Sequence, residues 1–356
     1  MIEWNKNQLG ELIEVKYGKD HKKLLEGKIP CYGSGGIMRL VDNSLYDKES
    51  ILIPRKGSLN NLFYVNEPFW TVDTLFWTKI NIEKVEPKFL FYNLKLIDFE
   101  GLNVGSAVPS LTTPVINEIE VNLPPLSEQK AIASVLSSLD DKIDLLHRQN
   151  ETLEKMAETL FRKWFVEDAK EDWEVGKFGD VIEIFDNLRV PLSKMERDKK
   201  KIGVLYPYYG AAQIMDYIND YIFDGEYILL GEDGTVRTDE GYPVLQYATG
   251  KFWVNNHTHV IIAKKPYNNF FIWNYLKKKN IDEIVTGAVQ PKINQTNLKS
   301  LDFTIYPEDK VFEFNNLTDG FFSKINNNKT QIKSLTKMRD TLLPKLMSGG
   351  VRVKMD

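Results

Sequence analysis

Along residues 126–166 apolar side chains recur at alternating spacings of three and four, with charged residues between them and neither glycine nor proline. Leu136, Ile143, Asn150 and Ala157 fall at the a positions of one unbroken heptad, and Leu139, Leu146, Leu153 and Leu160 at its d positions. That period predicts a long helix with a single apolar seam, the pattern of a coiled-coil strand, starting with Ser127 as N-cap. At about 1.5 Å per residue it would be roughly 60 Å long, more than an ordinary globule contains. The preceding 125 residues read differently. Short β-type runs, ILIPRKG, LFYV and EVNLPP, alternate with glycine, proline and asparagine turns, and residues 87–96 have the composition of a short helix. They predict a mixed α/β globule.

The same texture then repeats. Trp4, Leu9, Gly10, Ile13 and Glu14 recur 169 residues on as Trp173, Phe178, Gly179, Ile182 and Glu183. IPCYGSGGIMRLVDNSLYD, from residue 29, lies over YPYYGAAQIMDYINDYIFD, 177 residues on, and ILIPRKGS over ILLGEDGT at the same offset. From Val72, which meets Val254, the offset is 182; it sets Gly105 and Pro109 on Gly287 and Pro291 and carries on into the helical segment, where Met156 meets Met338. Each change of offset is a longer loop in the second copy. Such self-similarity is tandem duplication. It predicts an α+β (mixed α/β) protein of two tandem pseudo-symmetric globules, 1–125 and 167–307, each followed by a long helix, 126–166 and 308–356, the second with a C-terminal tail.

The second helix carries Thr318, Ile325, Ile332 and Arg339 at a, and Phe321, Asn328, Leu335 and Leu342 at d, so each seam holds one asparagine. Antiparallel pairing with Asn150 facing Asn328 puts Leu136 on Leu342, Ile143 on Leu335, Leu146 on Ile332, Leu153 on Ile325 and Ala157 on Phe321. Only Arg339 opposite Leu139 and Thr318 opposite Leu160 fit poorly. A buried asparagine pair fixes register at some cost in stability. Asparagines at exposed edges, or helices pairing between molecules, are the other arrangements the pattern allows.

With 356 residues, 42% hydrophobic and 27% charged, the chain is long enough for two cores. A single cysteine, Cys31, excludes an internal disulfide framework, and no run approaches the roughly 20 apolar residues of a membrane helix. The opening MIEWNKNQLGELIEV lacks the layout of a signal peptide, so a cytoplasmic location and no membrane partner are expected. A net charge of −4 counts against an autonomous DNA binder, unless basic residues cluster on particular loops or partner subunits supply phosphate contacts.

Catalytic constellations are absent. Gly33, Gly35 and Gly36 lack the lysine and hydroxyl residue of a phosphate loop, and the second copy has Ala212 and Gln213 in place of two of them, so they read as a turn. Asn122, Pro124 and Pro125 read as a strand end, because Leu123 breaks the motif of amino methyltransferases. His257 and His259, two apart on an expected strand, would share a face able to hold a metal, but Leu75 and Trp77 stand there in the first copy and no metal is expected. Glu232, Asp233, Asp239 and Glu240 lack calcium-loop spacing and read as solvated surface. No nucleophile, base and orienter come together, so no catalytic residues and no cofactor are expected.

Tandem globules each followed by a long helix, the run LPPLSEQKAIASVLSSLDDKI, and YGSGGI with GSAVPSLT or GAVQPKIN once per half resemble the specificity subunits of type I restriction-modification systems. The resemblance spans essentially the whole chain. It implies a non-catalytic subunit in which each globule is a target recognition domain reading one half of a bipartite site in double-stranded DNA. It further implies that the antiparallel helix pair spaces the halves and docks two methyltransferase subunits, which bring S-adenosylmethionine and methylate adenine, and that a restriction and translocase subunit completes the complex. The chain is acidic overall and short for that family.

Divergence between the copies should fall at the readers. Arg55 and Lys56 are replaced by Glu232 and Asp233 within matching strands and turn. Arginine suits guanine O6 and N7 while a carboxylate can accept from cytosine N4, so these loops are candidates for reading different bases; surface drift is the alternative. Basic clusters occupy the equivalent loop in each half: Lys19, His21, Lys22 and Lys23, then Lys194, Arg197, Lys199, Lys200 and Lys201. They are candidates for phosphate contacts, or else merely solvated. An adaptor whose globules bind peptides or glycans is the competing function. A nuclease or methyltransferase would need catalytic motifs in unrecognised form.

Overall fold

The computed structural model describes residues 4–105, 107–287 and 289–354. Ser106 and Ala288, one in each of the GSAVPSLT and GAVQPKIN stretches, lie outside them. The chain divides into two compact units, Met1–Leu146 with Thr330–Asp356, and His147–Lys329.

In the first unit, β1 (Asn5–Gln8), β2 (Ile13–Tyr17), β3 (Ile29–Gly33), β4 (Gly36–Val41), β5 (Ser50–Pro54), β6 (Phe63–Val65), β7 (Trp70–Thr71) and β8 (Leu75–Ile80) precede α1 (Pro87–Leu94), α2 (Thr113–Asn117) and β9 (Glu120–Leu123). They form a four-stranded sheet ordered β2-β8-β5-β6, a three-stranded sheet β4-β3-β7 and the pair β1-β9. The second unit holds β10 (Val175–Lys177), α4 (Phe178–Val181), β11 (Ile182–Ile184), α5 (Lys194–Lys199), β12 (Tyr206–Tyr209), β13 (Ile214–Ile218), β14 (Phe223–Gly231), β15 (Leu245–Val254), β16 (Thr258–Ala263), α6 (Asn269–Lys277), α7 (Gln295–Ser300) and β17 (Asp302–Thr304). Here β11-β16-β14-β15-β12-β13 is one six-stranded sheet, with β10-β17 apart. A single residue explains the difference. The second copy runs β15 straight through where the first has β6 and β7, and the interruption contains Pro68, which has no N–H for a ladder, at the position of Lys251.

Two long helices complete the repeat, α3 (Leu126–Arg162) and α8 (Glu308–Met347), and they run antiparallel. Helix α3 begins at Leu126, with the Pro125 carbonyl accepting from the Glu128 and Gln129 amides, so Ser127 lies in the first turn and is not the N-cap. Each unit's core takes in an end of both helices. In the first, Ile132, Ala133 and Leu136 of α3 and Leu343, Leu346 and Met347 of α8 join Leu9, Phe76, Phe89 and Phe99. In the second, Phe161 of α3 and Val311 and Phe314 of α8 join Phe178, Ile228, Phe271 and Phe303. A cation also covers the leading tryptophan of each copy: Arg352, bonded to Glu128 at 2.7 and 2.8 Å, lies 5.8 Å over Trp4, and Lys310 lies 5.6 Å over Trp173.

Every seam position named above is buried or half-buried. Asn328 Nδ2 donates to Asn150 Oδ1 at 2.9 Å in the second unit, and to Gln149 Oε1 at 3.3 Å. In the first unit Arg339 avoids its poor layer by reaching Asp140, whose other oxygen accepts from the Tyr92 hydroxyl, at 2.7 and 2.6 Å. Thr318 is fully buried with its hydroxyl donated to the Phe314 carbonyl, so it adds no orphaned polar group. Replacing Asn328 by leucine strands the Asn150 amide and is expected to cost about 1–3 kcal/mol in thermal unfolding. Changing both asparagines to leucine should recover that loss while loosening the register. A single change without effect would contradict the pairing.

Candidate nucleic-acid interface

Strand β5 ends at Pro54, and the next residues are tied to the segment around Pro109: Leu111 N donates to Arg55 O at 2.9 Å and Gly57 N to Pro109 O at 3.1 Å. The second unit repeats the knot, Ile293 N donating to Glu232 O at 2.8 Å and Gly234 N to Pro291 O at 3.1 Å. Gly57 and Gly234 have φ of +91° and +80°, a conformation glycine alone adopts cheaply, so both copies keep it at the turn. One backbone thus carries opposite side-chain charges.

In the first unit the Arg55 guanidinium donates to the Asp73 carbonyl at 3.0 Å and lies 5.5 Å over Tyr17, while Lys56 is exposed and has no side-chain partner among the described residues. In the second unit Glu232 does not behave as solvated surface. Its side chain is 14% exposed, bonded to Arg189 Nη1 at 2.6 Å and 3.4 Å from Lys292 Nζ. Asp233 bonds His257 Nδ1 at 2.5 Å. Asp239 and Glu240 are exposed. Repeat alignment sets Ser110 on Lys292, and the shared bond from Arg55 N to Thr74 O and from Glu232 N to His257 O sets Thr74, rather than the expected Leu75, on His257, so the acidic pair arrives together with two compensating basic residues.

His257 and His259 do not share a face. His257 precedes β16 and is half-exposed, whereas His259 is fully buried, its ring nitrogens facing Asp186 Oδ2 at 2.6 Å and the Ile293 carbonyl at 2.8 Å. Both oxygens are acceptors, so each ring nitrogen of His259 faces a group suited to take a proton donated from it. Asp186 also accepts from the Val260 amide at 2.9 Å and Gln295 Nε2 at 2.7 Å. Burial pushes its carboxyl up, but the His259 bond and charge, the Val260 amide and Arg189 outweigh that and hold it below the ordinary range. The strand registers put Phe76, not Trp77, at the position of His259, and the first unit meets the equivalent pair with neutral chemistry, Phe76 lying edge-on to Tyr17 at 5.0 Å.

Asp186, Glu232 and His259 hold ligand-type atoms within 4.8 Å of one another. Arg189 already fills the place of a cation there, 3.5 Å from Asp186 and 2.6 Å from Glu232, and both His259 nitrogens are engaged. A metal would have to displace the guanidinium, so this group is an ion-pair network.

The two basic clusters differ. Lys19, His21, Lys22 and Lys23 lie on an irregular loop, and residues 20–22 border a cavity of about 670 Å³ with the turn at 33–35 and residues 72–74. Lys22 and Lys23 are exposed, and His21 Nδ1 is buried without a partner among the described residues. The second cluster is not a loop: Lys194, Arg197 and Lys199 stand on α5, whose N-terminus Ser193 and Glu196 close as a capping box. Arg197 bonds Asp216 at 3.1 Å, Lys200 bonds Asp220 at 2.8 Å, and Lys201 bridges Asp198 and Asp216, which takes three of the five cations into intramolecular pairs. Sequence reasoning missed Arg189 and Lys292. The repeat alignment held the signal for Lys292, a new cation opposite a new acid.

The family model for the type I restriction modification DNA specificity domain matches residues 1–155 and matches again over 170–337. The chain belongs to this family. The MjaIX specificity subunit of Methanocaldococcus jannaschii is 26% identical over 358 residues, covering 87% of this chain and 79% of that subunit. A putative specificity subunit of Haemophilus influenzae, HindORF215P, is 34% identical over 147 residues, 41% of this chain and 36% of the other. The crystal structure of the type I S subunit from M. genitalium has the same fold, with a TM-score of 0.68 at 19% identity over 100% of this chain and 97% of that one. As a DNA specificity protein the chain carries two recognition domains, one per copy, and the equivalent knots give each a matched loop with its own chemistry. No helix of the described residues is long and apolar enough to cross a membrane.

Proposed function

We propose that this chain is the non-catalytic sequence-recognition subunit of a type I restriction-modification complex acting in the cytoplasm. Each globular domain reads one half of a bipartite site in double-stranded DNA. The helices α3 and α8 set the spacing of the halves and dock two methyltransferase subunits; a restriction and translocase subunit joins them for cleavage, and the transferred methyl group comes from cofactor bound by the partners. The observation that carries this reading is the loop knot built with the same backbone bonds in both copies and tipped with different side chains, as a split, non-palindromic site requires. Phosphate contact falls to Lys19, His21, Lys22 and Lys23 in the first domain and to Lys194 and Lys199 in the second, with Arg197, Lys200 and Lys201 held back by their acids. Arg55 and Lys56 are the base-contact candidates of the first domain. The net charge of −4 fits a subunit whose partners supply part of the phosphate contact.

Charge reversal of Lys22 and Lys23 tests the reading. In the assembled complex, Lys22→Glu with Lys23→Glu should weaken duplex binding across all sequences and flatten the salt dependence by about one unit of log–log slope for each phosphate no longer neutralised. Binding isotherms at several salt concentrations check this. Unchanged binding and slope would favour a protein-binding adaptor.

A further inference from the structure

In the second domain, charged side chains at the loop knot are layered by depth. Arg189, 11% exposed, lies lowest, donating from Nη1 to Glu232 and to the Thr258 carbonyl at 2.7 Å and from Nε to the Asp186 carbonyl at 3.0 Å. The carboxylates come next, Glu232 at 14% and Asp233 at 19% exposure. Outermost are Lys292 and His257, at 49% and 48%. Backbone bonds lock the three segments together, Glu232 N donating to His257 O at 2.9 Å and Ile293 N to Glu232 O at 2.8 Å.

Glu232 is not placed to accept from a base, and Asp233 has one oxygen already taken. One Glu232 oxygen takes the Arg189 guanidinium and the other faces the Lys292 ammonium, and a base amine would have to displace a charge-assisted bond. Asp233 is likewise bonded to His257. His257 gives Nδ1 to Asp233, which leaves Nε2 without a partner among the described residues.

We infer that base recognition in the second domain falls to Lys292 and His257, that Glu232 and Asp233 are positioning residues that aim them, that Lys292 meets bases presenting acceptor atoms, guanine O6 and N7 foremost, and that the His257 ring, its Nδ1 proton given to Asp233, offers Nε2 as an acceptor to a base amine. The inference rests on the recognition-subunit reading above. It also accounts for the reversal between the copies: Arg55, Lys56, Thr74 and Ser110 of the first become Glu232, Asp233, His257 and Lys292 of the second, so the cationic donors leave one strand end and one reappears on a neighbouring segment as Lys292. The knot keeps a donor-bearing tip in both halves, with the donors set at different points along the groove.

The test is selection of bound duplexes from a randomised pool by the intact complex of this chain with its methyltransferase subunits. Lys292→Ala and His257→Ala should each flatten base preference at a position of the second half-site by about ten- to a hundredfold and leave the first half-site as it was. Lys292→Arg should keep the guanine preference. Glu232→Gln and Asp233→Asn should weaken the same positions without changing the preferred base. Because Lys292 and His257 are half-exposed, matched melting curves will exclude misfolding as the cause. Intact second-half preferences in both alanine variants, with a switched base in Glu232→Gln, would overturn the inference and make the carboxylates the readers. A native complex that selects no bipartite motif would instead bring down the recognition-subunit reading, and this inference with it.

Discussion

Truncating Phe314 to alanine is expected to lower the stability of the second unit by about 3–5 kcal/mol. Phe314 is fully buried near the start of α8, and its ring lies 5.4–5.8 Å from those of Phe161, Phe165 and Phe271 and 6.3 Å from Trp164, all close to edge-on. Removing it opens a cavity and forfeits several edge-to-face pairs, each worth about 0.5–1.5 kcal/mol beyond area burial. These rings come from α3, the turn after it, α6 and α8, so the loss falls where both helices enter the domain's core. Phe312, two residues earlier and 67% exposed, is the control, and its truncation should cost a few tenths of a kcal/mol at most. Amide hydrogen exchange separates the two units, as a single melting temperature of a two-unit chain would not. Equal effects of Phe314→Ala and Phe312→Ala would refute the packing account.

The second large effect is expected at Asp186. Asp186→Ala leaves the buried His259 ring, the Val260 amide and Gln295 without their shared acceptor, and breaking one partner of such a pair costs about 3–5 kcal/mol. The acid dependence has a definite sign. The folded carboxyl lies below its ordinary value of 3.8, so its contribution is complete above that value and is lost as the pH falls through the lowered folded one. The native protein should therefore exceed Asp186→Ala by a wide margin at about pH 5 and lose that margin toward about pH 2. Denaturant unfolding across this range checks it. A margin that grows on acidification would mean the pair is not ionised as described. In the first unit, where Phe76 and Tyr17 fill these positions, no such acid limb should arise.

Periodicity and repetition made the scaffold legible. The heptads gave two helices and one asparagine in each seam, and the repeat alignment gave two domains with matched turns, because burial on a regular element leaves a period in the chain. What periodicity could not carry is where loop charges find partners. Arg189 and Glu232 are 43 residues apart, and Glu128 and Arg352 are 224 apart, brought together by the folded loops and the returning tail. Glu232 therefore read as solvated acid although Arg189 lies beneath it, and three cations of the second cluster read as free although Asp216 and Asp220 hold them. Arg339 looked wrong in its layer because heptad bookkeeping pairs it with Leu139 and ignores its reach to Asp140.

The most direct test of the central claim is the methylome of cells expressing this chain with its methyltransferase subunits, compared with cells that lack only this chain. The account predicts a bipartite adenine-methylated motif, two short half-sites around a fixed unspecific gap, present only when the chain is. A stable complex that adds no new methylation would contradict it.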